Sequence, residues 1–470
     1  MKKINIICLL LCFLLIVQCV PVRAEAGSAP DMSVTNGCNT VDGAMPLLGT
    51  EPALESVGSA VLLETNTNTL MYAINADAHM YPASLVKIMT ALIAFEEGTM
   101  TDAVTVTDRV LSTVPENAVS VDLVANEVMN LQDLLYCMLV GSANDAAAAI
   151  AEHIAGSQET FVSKMNQRAV ELGCLDTQFT DAHGLDSKQY TTARDMTRIL
   201  AEALKNRQFC EVFGAVHYDV PATNKSASRK LLSENYLLNE DDESFYYDAR
   251  ATGSRTGITD NGDRCIASVA EENGMQLVSV VLGAKCVYKE DGYTIKIIGG
   301  YKETSSLFDI GFDGFEAVQI FYPDQTLLQC KVENGNSDVV IGPKIAASTI
   351  LPGDYSPSKL DYRYTNVRGA YQTPIEKGSK QSSVQVWYGN ICVAQADLYA
   401  MNRVAAKQKL IVDLDSNKDT NVVKMVLMVA GIVIAVLLGL FGVIYVAGRM
   451  RYAAARKHSR QHRKNRRRSR

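Results

Sequence analysis

The chain has 470 residues, 47% of them hydrophobic, with 45 Lys+Arg against 52 Asp+Glu for a net charge of −7, and eleven cysteines. This length allows two domains plus a membrane span. The acidic balance excludes nucleic-acid or anionic-polymer binding by bulk charge, the dispersed cysteines form no dense disulfide scaffold, and no His-Glu-x-x-His or paired Cys-x-x-Cys spacing offers a metal site.

Met1-Lys2-Lys3 followed by the apolar run Ile4 to Val20 has the form of a secretory signal peptide over 1–24, with cleavage after Ala24 or Ala26. Cys19 does not mark a lipoprotein, because Ile16-Val17-Gln18 lacks the small residues such a signal needs. Residues 25–51 are polar and glycine-containing and read as a flexible leader.

The most informative stretch follows: Tyr81-Pro82-Ala83-Ser84-Leu85-Val86-Lys87-Ile88-Met89-Thr90. Leu85, Ile88, Met89, Leu92, Ile93 and Phe95 recur at near-helical spacing, and Gly98 suits the stop. Pro82 lies just ahead, so Ser84 is expected in the first turn, near free N–H groups and the positive end of the dipole. A serine hydroxyl needs a neighbouring base, and Lys87 stands three residues on along the same helical face. Spacing alone is weak, because Ser356-Pro357-Ser358-Lys359 matches it too and reads as loop through its proline. The bland alternative for Ser84 is a helix-cap serine followed by a surface lysine.

Next comes Ser142-Ala143-Asn144, a hydroxyl and an amide in an otherwise apolar run, costly unless partnered. The same short pattern recurs at Ser233-Glu234-Asn235. Arg255-Thr256-Gly257-Ile258 then leads into a turn at Asn261-Gly262 and two strand-like runs, Cys265–Val269 and Leu277–Leu282, expected to pair as a hairpin. A glycine beside a cation on a strand edge lets a substrate backbone approach; the competing reading of Arg255 is a solvated edge charge. His183 sits in a Gly-Leu turn, where a structural hydrogen bond is expected, since lysine already fills the role of base.

From Phe315 short alternating segments (317–321, 338–341, 383–387 and 391–393), separated by Gly and Pro turns, predict a β-rich region over 313–412. After a linker at 413–424, residues 425–447 form an uncharged apolar stretch. As a helix it spans about 34 Å, enough for a bilayer core of about 30 Å. Arg449 to Arg470, in the basic tail 448–470, holds eleven Lys or Arg and no acid. The positive-inside rule puts that tail in the cytoplasm and the rest outside, as a single-pass cell-membrane protein. Residues 25–424 carry 31 of the 45 basic side chains and all 52 acids, a balance of −21. Eight cysteines follow the signal (Cys38, Cys137, Cys174, Cys210, Cys265, Cys286, Cys330 and Cys392), and their pairing stays open.

Ser84-x-x-Lys87, Ser142-x-Asn144 and Arg255-Thr256-Gly257, in that order, resemble the Ser-x-x-Lys, Ser-x-Asn and Lys-Thr-Gly elements of penicillin-binding proteins and serine β-lactamases. The context is similar to the low-molecular-mass D-alanyl-D-alanine carboxypeptidases. It includes an opening hairpin (59–64 and 70–75), helices at 151–156 and 161–166, and Phe179-Thr180-Asp181-Ala182-His183-Gly184-Leu185-Asp186 followed by Thr192-Ala193-Arg194-Asp195-Met196. The resemblance covers most of the chain and implies an α/β (α+β) domain over 52–312, an antiparallel sheet flanked by helices, followed by a small all-β domain read as a stalk. It implies Ser84 as acyl-ester nucleophile, Lys87 as base, Ser142 as proton relay and Asn144 orienting lysine and substrate. Arg255, Thr256 and Gly257 would bind substrate, and the N–H groups of Ser84 and Ile258 would form the oxyanion hole. The substrates implied are peptidoglycan stem peptides ending in D-Ala-D-Ala, with β-lactams as covalent inhibitors and no cofactor, metal or nucleic acid. Arg255 departs from the usual lysine: its planar fork suits a carboxylate, but it cannot shuttle a proton. A β-lactamase of the same superfamily and a non-catalytic penicillin-binding scaffold are the competing readings.

Overall fold

The computed structural model describes residues 54, 56–240, 245–365, 367–408 and 420–465, with side chains of the last helix described over 423–450. The signal peptide expected over 1–24, the leader over 25–51 and residues 413–419 of the expected linker lie outside the described residues. The chain to Ala406 makes one compact unit and the stretch from Lys407 a second.

Strands β1 (Ser59–Glu64) and β2 (Thr69–Ile74) pair antiparallel as the opening hairpin. Every residue of β1 is buried, with none of the alternation of a half-exposed strand. The reason is its other neighbour, a strand some 200 residues later in the chain. Strands β3 (Ala251–Ile258), β4 (Arg264–Glu272) and β5 (Met275–Ala284) complete an antiparallel sheet of order β2-β1-β5-β4-β3. Between Glu272 and Met275, Asn273 and Gly274 both take positive φ (51° and 81°), the conformation a two-residue hairpin turn needs.

Helices α1 (Val86–Glu97), α2 (Leu131–Leu139), α3 (Asn144–Ala155), α4 (Gln158–Glu171) and α5 (Ala193–Ala203) share one core with one face of this sheet. Helix α6 (Tyr301–Gly314) covers the opposite face through Tyr301, Leu307 and Phe308. Residues 86–94 of α1 are all buried, which explains its apolar run on every side. Burial of each Leu, Ile or Met there contributes about 1.5–3 kcal/mol. Side-chain caps fix the helix starts: Asn130 accepts from Asp133 N at 2.6 Å, Ser157 from Thr160 N at 3.1 Å and Thr192 from Asp195 N at 3.0 Å.

Helix α6 runs two residues past the expected end of the catalytic domain at 312, and β6 (Phe315–Phe321) begins immediately after it. The β region has its own core around Ile341, Val384, Val386 and Leu398. Strand β6 pairs with β9 (Ala347–Pro352). Strands β7 (Leu328–Cys330), β8 (Val339–Pro343), β10 (Leu360–Thr365), β11 (Lys380–Tyr388) and β12 (Ile391–Ala400) form a sheet of order β7-β8-β12-β11-β10. Ser356 to Lys359, the decoy Ser-x-x-Lys, forms a short turn on its rim.

In the second unit, α7 (Thr420–Asn465) starts inside the expected linker, because nothing from Thr420 onward breaks a helix. Its apolar part, Val423–Met450, is wider than the expected 425–447; an 18-residue stretch within it has mean hydropathy 2.9, and none of that stretch is buried. Among the described residues Cys137, Cys210, Cys265, Cys286 and Cys330 are free thiols, whereas Cys392 is disulfide-bonded.

Candidate active site

Ser84 lies in a single 3-10 turn, Ala83–Leu85, that runs directly into α1. Its side chain caps neither element, so the helix-cap reading of this serine fails. Ala83 takes φ +48°, a conformation costly for a residue with a Cβ and held only by its surroundings. Those surroundings are two glycines. A Cβ on Gly257 of β3 would stand 2.9 Å from Ser84 N and 3.0 Å from the Ala83 Cβ. One on Gly184 would stand 2.1 Å from the Ala83 carbonyl oxygen. The nucleophile turn is thus clamped from both sides by backbone. Tyr81 donates its hydroxyl to the Gly184 carbonyl at 2.6 Å, and burial pushes its phenol up to about 12.

Lys87 is completely buried, and its Nζ sits 3.1 Å from Ser84 Oγ, 2.7 Å from Asn144 Oδ1 and 2.7 Å from the His183 carbonyl. A neutral amine has two N–H bonds and one lone pair. The two fixed carbonyl oxygens take the N–H bonds and leave the lone pair for the serine proton. Burial, followed by the charge of Arg255, drives the Lys87 pKa well below its ordinary value, with Asp181 and Asp145 pulling weakly the other way.

Asn144 opens α3 and is oriented by donating Nδ2 to the Val119 carbonyl at 2.8 Å. The 120–123 segment is tied to the same helix start through Asp145, which accepts from Ser120 Oγ and the Leu123 amide. Ser142, two residues before α3, takes φ +58°. Its Oγ accepts from Arg255 Nη2 at 2.6 Å, while Arg255 Nη1 donates to the Leu139 carbonyl at 2.9 Å. Arg255 is 5% exposed and its Nε is buried without a partner, so it is not a solvated edge charge. Burial lowers its guanidinium to about 10, still protonated at neutral pH.

All three sequence elements therefore converge: Ser84 and Lys87 from the turn and α1, Ser142 and Asn144 from the approach to α3, and Arg255 to Ile258 from edge strand β3. Thr256 is half-buried and Ile258 is 56% exposed at the open end of the strand, where it pairs in register with Arg264. The sequence alone did not reveal the carbonyls of His183, Val119 and Leu139, because a backbone acceptor has no residue-type signature. The His183 side chain lies 3.3 Å from Asp181, as a structural role predicts, but its main chain belongs to the site.

Residues 49–286 match the family described as D-alanyl-D-alanine carboxypeptidase. The D-alanyl-D-alanine carboxypeptidase DacA of Haemophilus influenzae is 29% identical over 366 residues, covering 76% of this chain and 87% of that protein. DacF of Bacillus subtilis, also a D-alanyl-D-alanine carboxypeptidase, is 27% identical over 361 residues, 75% of this chain and 85% of that one. Among solved structures, penicillin binding protein 5 from Haemophilus influenzae shares 28% identity with a TM-score of 0.59, over 76% of this chain and 100% of that one.

Proposed function

This chain belongs to the D-alanyl-D-alanine carboxypeptidase family, serine peptidases that act on cell-wall peptidoglycan and bind penicillin, and on that premise we propose that it removes the terminal D-alanine from stem pentapeptides through an acyl-enzyme on Ser84. The observation that carries the reading is the completely buried Lys87 amine, 3.1 Å from Ser84 Oγ and hydrogen-bonded otherwise to two carbonyl oxygens.

For a solvated lysine, neutrality at pH 7 costs about 4.6 kcal/mol. Here burial and, after it, the Arg255 charge push the amine toward the neutral form in the folded state. Neutral Lys87 accepts the Ser84 proton as Oγ attacks the carbonyl between the two D-alanines. The N–H groups of Ser84 and Ile258 face the developing oxyanion, each such donor being worth about 2.7–4 kcal/mol. Ser142 hands a proton to the departing amine, and Asn144 holds Lys87 and the substrate amide in register. Arg255 offers its remaining N–H bonds to the terminal carboxylate of the substrate. Gly257 leaves room for the substrate backbone along β3. Water then releases the shortened peptide, whereas a β-lactam leaves a longer-lived acyl group on the same oxygen.

The apolar helix Val423–Met450 is long enough to cross a bilayer. With the basic run after it, this supports a single-pass anchor with the tail in the cytoplasm and the catalytic domain outside.

The test is labelling with a fluorescent penicillin together with D-alanine release from a pentapeptide. Wild type is expected to do both, and Ser84→Ala neither. Rapid antibiotic hydrolysis without D-alanine release would replace this reading by a β-lactamase, and absence of labelling in folded wild type would replace it by a scaffold.

A further inference from the structure

The turn that presents the His183 carbonyl to Lys87 is built around one carboxylate. Asp181 Oδ1 accepts from the amides of His183 at 3.0 Å and Gly184 at 2.5 Å and from Gln189 Nε2 at 3.1 Å. Its Oδ2 accepts from the amides of Leu185 at 3.0 Å and Asp186 at 2.7 Å and lies 3.3 Å from His183 Nδ1. Four consecutive amides thus converge on one side chain. The turn also borders a cavity of about 690 Å³, lined by Thr113, Pro115, Phe179, Asp181, His183 and Leu185 among others. Tyr81 and Thr90 donate to the Gly184 and Ala182 carbonyls of the turn, both at 2.6 Å, and the carboxylate ties its amides together from within.

We infer that Asp181 is a positioning residue for acylation: its carboxylate fixes the His183 carbonyl and the Gly184 backbone, and through them the lysine amine and the nucleophile turn. The inference rests on the roles proposed above for Ser84 and Lys87. It adds a residue that never touches the reacting atoms but sets two surfaces that do. One is the acceptor 2.7 Å from Lys87 Nζ, and the other is the glycine pressed on the Ala83–Ser84 peptide. An asparagine here would turn its NH2 toward two of the amides, losing those bonds and opposing donor to donor.

The charged groups facing Lys87 are Arg255 from β3, Asp145 from α3 and Asp181 from this turn. The Asp181 charge favours the ammonium form of Lys87. Removing it makes the base neutral at lower pH, so the acid limb of the rate profile moves down in pH. Looser placement of Nζ lowers the plateau at the same time. A loop staple with no link to the base would change thermal stability and leave the limb where it was.

The experiment measures acylation by a fluorescent penicillin from pH 5 to 10, using the full chain in detergent micelles, for wild type, Asp181→Asn, Asp181→Glu and Ser84→Ala. In Asp181→Asn the plateau is expected to fall about 10- to 100-fold, the cost of misplacement by about 1 Å, with the acid limb displaced to lower pH. Asp181→Glu, which keeps the charge, is expected to slow acylation with the limb at its wild-type position. An Asp181→Asn protein with wild-type rate and limb overturns the inference. So does one that melts lower and reacts more slowly with an unmoved limb. Should Asp181→Asn not fold, Gln189→Met decides: it removes one of the three donors to Oδ1 and is expected to slow acylation about threefold, and an unchanged rate overturns the inference. Wild type that never labels overturns the reading of Ser84 instead, which keeps the two failures distinct.

Discussion

Gly184→Ala isolates the backbone clamp on the nucleophile. Gly184 has φ +90°, and the new Cβ would stand 2.1 Å from the Ala83 oxygen, 2.5 Å from its carbonyl carbon and 3.0 Å from Ser84 N. All three are backbone atoms, so no side chain can swing aside. Restoring ordinary contact requires the turn or the loop to move by roughly 1 Å, a displacement able to cost about 100-fold when it misaligns reacting groups. Stability should fall by about 2–5 kcal/mol, combining the left-handed backbone penalty with overpacking. Gly156→Ala is the matched control: its φ is +78°, its added Cβ meets nothing within 4 Å, and it caps α3 away from the site. It is expected to lose about 1 kcal/mol and keep its acylation rate. Penicillin acylation and urea unfolding, measured on both variants, decide the matter. Acylation of Gly184→Ala within threefold of wild type would refute the clamp.

Arg255→Gln removes the charge that helps keep Lys87 neutral, so the acid limb of the acylation profile should move to higher pH, with a greater loss at pH 6 than at pH 9. The lost charge-assisted bond to Ser142 adds a fall of about 10- to 100-fold on the plateau. Arg255→Lys keeps the charge and should leave the limb in place; equal profiles for the two variants would contradict this electrostatic role. Burial alone would raise the Asp181 carboxyl, but bonds from His183, Gly184 and Asp186 outweigh it and hold it well below the usual range. Asp181 therefore stabilises the fold fully above the unfolded pKa of about 3.9, and that contribution drains away as pH falls toward the lower folded value. Urea unfolding at pH 7 and pH 3 should show a smaller pH-dependent loss in Asp181→Asn than in wild type. Glu127 is fully buried beneath a two-pronged ion pair with Arg229, at 2.8 and 3.0 Å. Arg229→Met strands that carboxylate and should cost about 3–5 kcal/mol in the same assay.

How far these features could be read from the sequence depends on the range of the interaction that makes them. The Ser84–Lys87 pair is legible because three residues along a helix or a tight turn bring the side chains to one face, and the 3-10 turn that replaces the expected α-turn preserves that meeting. The hairpin β4–β5 is legible because its apolar runs flank a two-residue turn. Pairing of β1 with β5 is not, since a strand buried on both faces has no alternation and says nothing of its partner. The pairing of Ser142 with Arg255, 113 residues apart, is likewise invisible to spacing and came only from the ordered set of motifs. Asp181 could have been noticed as an acid two and three residues before His183 and Gly184, a familiar side-chain turn pattern. Its five hydrogen bonds could not.

Apart from the Ser142–Arg255 bond, the parts hidden from the sequence fix geometry largely through main-chain atoms. Lys87 is held by one side-chain carbonyl and one backbone carbonyl, Asn144 by the Val119 carbonyl, Arg255 by the Leu139 carbonyl, and the nucleophile turn by two glycine backbones. Side-chain replacement cannot directly remove a backbone acceptor, so the sensitive positions are those that set backbone conformation. In this chain they are Asp181, Gly184, Gly257 and the left-handed Ala83 and Ser142. Glycine at position 83 or 142 relaxes the strain without adding a clash. Ala83→Gly and Ser142→Gly therefore differ in what they report, since only the second removes a hydroxyl. If the left-handed turn is enforced by its neighbours, Ala83→Gly keeps its acylation rate while Ser142→Gly loses it. A large loss in Ala83→Gly would mean that the methyl group packed against Gly257 aligns Ser84, and the clamp would then be made of side chain after all.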